Sequence, residues 1–237
     1  FFTWMLAQNA DFICIQETKA QAWQLENPIY HPKGYHAYFS DAEKKGYSGV
    51  AIYTPHKPKR VKTQLGWSIA DQEGRFIRLE YDDLVVDSLY LPSGSSKEER
   101  QLVKYEMMDF YEAELKKNAK SKKAHIICGD WNIVHKEIDI KNFKSNQKSS
   151  GCLPQERAWL DKVFGPWGLY DAFRLINQEP LQYTWWSNRG RARENNVGWR
   201  IDYQIATSGL ASSAVSTRVA ETPFLSDHAP LIVNFKG

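Results

Sequence analysis

What most constrains this chain is where its apolar runs stop. Several short stretches rich in β-formers are bounded by turn residues and read as strands: "DFICIQ" (11–16), "SGVAIYT" (48–54), "RFIRLEY" (75–81), "DLVVDSLYL" (83–91), "AHIICGD" (124–130), "WRIDYQIAT" (199–207) and "DHAPLIVNF" (227–235). A few helices separate them. "FFTWMLAQ" has helical spacing of apolar residues. Residues 96–119 form the clearest helix, with Ser96 as a cap, Glu98 and Glu99 in the first turn and Lys116 and Lys117 in the last. Another helix runs from Pro154 to about Phe164. No internal repeat, low-complexity segment or composition break divides the 237 residues. The expectation is one domain over residues 1–237, with mixed sheets packed under outer helices.

Five of these runs carry polar groups at or near their ends. Glu17 follows "FICIQ", Tyr90 closes "VVDSLY", and Asp130 and Asn132 follow "HIICG". Asp202 lies in "GWRIDYQIA", and Asp227 with His228 opens "DHAPLIVNF". Each has an ordinary explanation on its own. Glu17 could be a solvated strand end paired with Lys19, Asp130 or Asp227 a turn former, and His228 a satisfied core histidine. Together they suggest a site, because a rigid sheet can hold reactive groups at its edge while loops give access. Trp131, between the Asp and the Asn, is assigned to packing.

The chemistry narrows by exclusion. There is no Gly-rich phosphate loop, nucleophile elbow or zinc-spaced Cys and His set. Carboxylate and amide oxygens are hard ligands, suited to Mg²⁺ or Mn²⁺. An Asp can position or deprotonate water, a His oriented by an Asp can stabilise negative charge, and a Tyr can bond a phosphate oxygen. This inventory suits metal-assisted hydrolysis of a phosphoester. A net charge of +3 permits a nucleic-acid partner without requiring one. No apolar run is long enough to span a bilayer and no signal peptide is evident, so no membrane partner is expected. The three cysteines imply no disulfide framework. Cys14 and Cys128 sit in apolar runs and read as buried, reduced thiols, which fits a cytoplasmic or, in a eukaryote, a nuclear protein.

The motifs "QETK" (16–19), "YLPSG" (90–94), "GDWN" (129–132), "GWRIDY" (198–203) and "SDHAP" (226–230) occur in an order that resembles the exonuclease III-type AP endonucleases of the endonuclease/exonuclease/phosphatase superfamily. The resemblance runs from about Phe1 to the C-terminus. It implies a four-layer α/β sandwich, two mixed sheets flanked by helices, acting as a monomer. It also implies roles. Glu17 would be the principal ligand of Mg²⁺ or Mn²⁺, and Asp227 would bind metal or orient the site. Asp130 would position or deprotonate water or bind metal, and Asn132 would bond the nucleophile, the phosphate or the metal. Tyr90 would contact the scissile phosphate. His228, held by Asp202, would stabilise the developing phosphorane.

The same resemblance implies duplex DNA with abasic sites or damaged 3′ ends as partner. Lys141, Asn142, Lys144, Asn146 and Arg193 would grip the backbone, which gives affinity without sequence specificity. Trp185, Trp199 and Ile201 would form an apolar pocket for a flipped, base-less sugar. Trp186 reads as core. Ser88 and Ser93 stand near Tyr90 where the family often has Asn, which would loosen phosphate contacts. The family also begins with a strand bearing an "SWN"-type motif. This chain opens without an initiator Met in what would be the following helix, so that strand and its Asn are expected to precede Phe1. Three other readings stand beside incision 5′ to abasic sites: a 3′-exonuclease or 3′-phosphatase paralogue, a lipid or small-molecule phosphatase, and a catalytically impaired DNA-binding fragment.

Overall fold

The structure, a computed structural model, describes residues 1–220 and 222–236. The chain divides into two compact units, Phe1–Leu91 with Ile126–Asp130, and Pro92–His125 with Trp131–Gly237.

The first unit contains α1 (Phe2–Ala7), β1 (Ile13–Gln16), α2 (Ala22–Leu25), β2 (His36–Ser40), β3 (Val50–Thr54), β4 (Arg60–Lys62), α3 (Ser68–Gln72), β5 (Phe76–Glu80), β6 (Leu84–Tyr90) and most of β7 (Ala124–Asp130). One antiparallel sheet has the order β1-β3-β2, with Ile13 opposite Tyr53 and Tyr38 opposite Ile52. In the other, β4, β5, β6 and β7 are successive neighbours, with Phe76 opposite Leu89. The first sheet lies over β5 and β6. Every residue of β3 is therefore buried, which is why "VAIYT" lacks the alternation of a one-sided strand. Val50, Ile52, Ile77, Leu79 and Val86 are all buried in these strands. Each such side chain contributes about 1.5–3 kcal/mol by leaving water.

The second unit contains α4 (Glu98–Ala119), α5 (Phe143–Asn146), α6 (Pro154–Val163), β8 (Leu169–Asp171), α7 (Ala172–Ile176), β9 (Trp185–Trp186), β10 (Gly198–Trp199), β11 (Asp202–Thr207), α8 (Ser208–Ala211), β12 (Ala214–Val219) and β13 (Leu231–Phe235). Antiparallel pairs join β11 to β8, β12 to β13 and β10 to β9. α7 packs on β8, β11 and β12, and α8 on β8 and β11. On α4 the buried Met107, Met108, Tyr111 and Leu115 recur at helical spacing. Tyr111 meets Trp131, which is fully buried and also packs against Trp159 and Tyr203. Trp131 is thus a packing residue, as expected.

The structure revises several sequence expectations. α4 begins at Glu98 with Lys97 as its cap position and no side-chain cap, so Ser96 does not cap it. Glu98 and Glu99 supply the favourable charge at that end instead. "WRIDYQIAT" breaks into β10 and β11. Asp227 and His228 precede β13 rather than opening it. They are nonetheless tied to β9, because Trp186 N donates to Asp227 O and Ala229 N to Thr184 O. All three cysteines are free thiols, but Cys14 and Cys128 are only partly buried. For Cys14 the reason is that β1 is an edge strand, partly exposed along its whole length. Among the described residues no helix is long and apolar enough to cross a membrane.

Candidate active site

In the first unit the predicted groups gather where β1, β6 and β7 end. Glu17 follows β1 with a left-handed backbone, φ 57°, and Lys19 shares that conformation at φ 50°. Such strain costs on the order of 1–3 kcal/mol and persists only where surroundings impose it. Here Thr18 N donates to Gly49 O and Lys19 N to Ser48 O, at 3.2 and 2.8 Å, which pins the turn. Tyr90, the last residue of β6, donates its hydroxyl to Glu17 Oε1 at 2.7 Å. Lys19 Nζ lies 3.5 Å from the other Glu17 oxygen. Burial, then the charges of Asp130 and Glu17, push the Tyr90 phenol far above its ordinary pKa. The phenol therefore stays protonated and acts as a donor.

Arg75 supports Tyr90 and was not singled out from the sequence. It is buried, lies 4.7 Å from the centre of the Tyr90 ring, donates to Tyr90 O at 3.0 Å and pairs with Glu73 at 2.6 Å. Ser88 is also buried. It donates to Ile15 O and accepts from Gln16, so its hydroxyl braces β6 against β1. Asp130 ends β7 and is buried, with its carbonyl accepting from Leu91 N. The preceding Gly129 is not there for a turn. A Cβ on it would stand 2.0 Å from Leu89 O, so β6 and β7 approach too closely for any side chain.

In the second unit Asn132 has a left-handed φ of 51°. Asp202 opens β11, and the Thr184 hydroxyl accepts from both Ile201 N and Asp202 N. Asp202 Oδ2 lies 2.9 Å from His228 Nδ1. Asp227 accepts from the Trp185 indole at 3.2 Å and from the Ser226 hydroxyl at 3.1 Å. Trp185 meets Trp199 edge to face, with ring centres 6.0 Å apart, and both pack with Phe143 on Val134, Ile140, Cys152 and Ile201. Ile201 is buried while the two indoles are half-buried, so the three form an apolar corner with Ile201 at its base. Trp186 belongs to a different, buried cluster with Tyr183, Ala192 and Ala229.

The basic residues divide. Lys141, Asn142 and Lys144 are exposed and line a groove of about 580 Å³ together with Phe143 and Leu181. Asn142, at φ 60°, starts α5, and its carbonyl accepts from Asn146 Nδ2 at 2.9 Å. Arg193 is placed differently. Its guanidinium lies 4.5 Å from the Trp186 ring centre and 4.0 Å from that of Phe224, and it donates to Ser226 O at 2.7 Å. Arg193 therefore braces the segment that carries Asp227 and His228.

Beneath this corner lies an ionic network that the sequence did not reveal. Arg200, fully buried, donates to Asp139 and Asp171 at 2.7 Å each, and Arg174 donates to Asp139 at 2.8 Å. The only sequence signal was charge inside apolar runs, "HKEIDI" and "GWRIDY", and that signal does not reveal the pairing.

The Endonuclease/Exonuclease/phosphatase family matches residues 1–228, and the chain belongs to that family. The chain is 38% identical to an exodeoxyribonuclease of Bacillus subtilis (strain 168), over 99% of this chain and 92% of that protein. It is 33% identical to the DNA repair nuclease APEX1 of Danio rerio, over 96% of this chain and 74% of the relative. The structure of an AP endonuclease from Archaeoglobus fulgidus superposes with a TM-score of 0.90 at 28% identity, covering 99% of this chain and 92% of that one. The mixed α/β fold with several sheets flanked by helices is the fold of that enzyme.

Proposed function

We propose that this protein is a DNA-repair phosphodiesterase that incises duplex DNA 5′ to abasic sites with the help of a divalent cation. The observation that carries this reading is the Asp202–His228 pair at 2.9 Å, borne on the "GWRIDY" and "SDHAP" motifs. Asp202 accepts from His228 Nδ1, which sets the ring and stabilises its doubly protonated form, in which Nε2 donates to a phosphate oxygen. Asp130 takes the proton of the attacking water, with Asn132 hydrogen-bonding the nucleophile. The water oxygen bonds to phosphorus, the bond to the 3′ oxygen breaks, and that oxygen takes a proton from solvent water to leave as a hydroxyl.

The donor set fits a hard cation, Mg²⁺ or Mn²⁺. Glu17 presents an exposed carboxylate, with Asp130, Asn132 and Asp227 as further oxygen donors. When bound, such an ion offsets phosphate charge and lowers the pKa of water. Lys141, Asn142, Lys144 and Asn146 hold the DNA backbone, and the Trp185–Trp199–Ile201 corner receives the base-less sugar. The protein acts as a monomer in the bacterial cytoplasm or the eukaryotic nucleus.

A second reading is exonuclease action, here trimming of 3′ ends; the Bacillus subtilis relative is an exodeoxyribonuclease, which supports exonuclease action without specifying the end. The test is a duplex with one abasic-site analogue, incubated with Mg²⁺ or with EDTA. Incision 5′ to the lesion with Mg²⁺ alone is expected. Shortening only from 3′ ends would favour the exonuclease, and full-rate incision in excess chelator would sink the metal assignment.

A further inference from the structure

Lys104 on α4 and Glu156 at the start of α6 are both fully buried, with Nζ 2.5 Å from Oε1. Such a pair is a poor device for stability. The attraction does not outweigh the lost hydration when compared with two apolar side chains of similar size. Its contacts indicate another use. Lys104 Nζ also donates to the backbone carbonyl of Asn132 at 2.8 Å. Glu156 Oε2 accepts from Gly151 N at 2.7 Å and Leu153 N at 3.0 Å, and Gln101 donates to Oε1 at 3.1 Å. Gly151 O in turn accepts from Val134 N at 2.6 Å.

The chain around Asn132 is therefore held at every residue. Trp131 N donates to Ile201 O, the Asn132 carbonyl is taken by Lys104, Ile133 O accepts from the Tyr203 hydroxyl, and Val134 N is taken by Gly151. Asn132 sits in this run with a left-handed backbone. Left-handed residues outside glycine need such support, and the backbone angle decides the direction in which the carboxamide leaves the chain.

We propose that Lys104 and Glu156 are a positioning pair that fixes the backbone of Asn132 and so aims its carboxamide at the attacking nucleophile. The proposal rests on Asn132 acting in the hydrolysis described above. Lys104 grips the carbonyl directly. Glu156 holds Lys104 and also the Gly151 turn that packs behind the same carbonyl.

The test is steady-state incision of an abasic duplex at saturating Mg²⁺ by the intact protein. Lys104→Met with Glu156→Gln is measured on the wild-type background and on Asn132→Ala. The substitution leaves no buried charge but removes the donor to the Asn132 carbonyl, so the unfolding midpoint should fall only slightly. On the wild-type background kcat should fall by roughly 10- to 100-fold with KM within about twofold, the scale of losing a supporting contact at a site. On Asn132→Ala the further loss should be under about twofold, because coupled residues do not add. Gly151→Ala gives a second approach that keeps both charges: its Cβ would stand 2.9 Å from the Asn132 oxygen, and also 3.2 Å from the Trp199 ring at a strained φ of 89°, effects common to both backgrounds that the ratio between them cancels. It should lose more kcat on the wild-type background than on Asn132→Ala. Equal fold losses on both backgrounds, or no loss on the first, overturn the proposal. If the Lys104 variant does not fold, the Gly151 series decides by the same criterion. A protein with intact Lys104 that fails to incise, or an Asn132→Ala variant with wild-type kcat, overturns the functional reading itself.

Discussion

The Tyr90 hydroxyl donates to Glu17 Oε1 at 2.7 Å. A phenol has one proton, so it serves Glu17 or a phosphate oxygen, not both at once. The two uses separate kinetically. If Tyr90 orients Glu17 toward the cation, Tyr90→Phe should raise the Mg²⁺ concentration for half-maximal incision by about 10-fold, and excess Mg²⁺ should restore the rate. Glu17→Gln should raise it further. We expect this pattern. A Tyr90→Phe deficit that persists at saturating Mg²⁺ would give the hydroxyl to the phosphate. An unchanged Mg²⁺ requirement in Glu17→Gln would remove Glu17 from the ligand set.

His228 and Asp202 should fail together. Asp202→Asn leaves the ring with a partner of nearly the same shape but without the charge that stabilises an imidazolium. His228→Asn removes the donor itself. Each, and Asp130→Asn likewise, should cut turnover by about 10²–10⁴, as expected for a positioned acid–base group. Binding to duplex DNA should survive, because Asp202→Asn and Asp130→Asn remove negative charge and His228→Asn leaves the exposed Lys141 and Lys144 in place. Titrating DNA against each variant alongside single-turnover rates checks both halves. Near-normal turnover in either His228→Asn or Asp130→Asn would end that residue's catalytic assignment.

Asp139 links the apolar corner to stability. Burial alone would raise its pKa, but the charges and hydrogen bonds of Arg200 and Arg174 outweigh that and hold it below the usual carboxylate range. A carboxyl depressed in the folded state contributes stability above its unfolded pKa of about 3.9 and loses it as pH falls through the folded value. Thermal midpoints followed from neutral pH downward should therefore drop below about pH 4. Asp139→Asn removes the charge that Arg200 and Arg174 share, while Arg200 keeps Asp171 and Arg174 keeps the carbonyls of Asn177 and Glu179, so it should cost about 1–3 kcal/mol near neutrality. Its midpoint should fall less steeply in acid. Parallel curves for the two proteins would show that Asp139 titrates alike folded and unfolded.

The strands and the site motifs were legible in the sequence for different reasons. β1, β3, β5, β6 and β7 are runs of β-formers with clear borders, and their patterns survive without tertiary context. β2 ("HAYFS") and β12 ("AVSTRV") were missed because each is only partly buried and carries little apolar signal. Glu17, Asp130 and Asp202 stood out because a charged group beside an apolar run is conspicuous. Arg75, Lys104, Glu156 and Arg200 did not. Each looks like a surface residue until partners far along the chain, such as Tyr90 for Arg75 and Asp139 for Arg200, show that it is buried and paired. Gly129 did not stand out, because contact with Leu89 O is a property of strand pairing and not of local sequence.

Substrate choice should separate the two kinds of contact in the second unit. Lys141 and Lys144 are exposed, while Trp185 and Trp199 stand edge to face over the buried Ile201. Neutralising the lysines should weaken binding to damaged and intact duplex alike. It should also flatten the salt dependence, because fewer counterions are released. Trp199→Ala should hardly change binding to intact duplex, since the indole carries no charge for a phosphate. It should reduce discrimination, because a flipped sugar is selected by what fits the corner after the base has gone. Removing one large apolar wall is worth about 3–5 kcal/mol where the surroundings cannot close the gap. Val134, Ile140 and Cys152 are packed against their own neighbours and have little room to move in. The measurement is the ratio of incision rates on abasic and undamaged duplex for each variant at fixed salt. The ratio should fall in Trp199→Ala and hold in Lys141→Ala and Lys144→Ala. If the lysine variants collapsed the ratio and Trp199→Ala left it untouched, recognition of the lesion would lie along the basic segment and the tryptophans would be core.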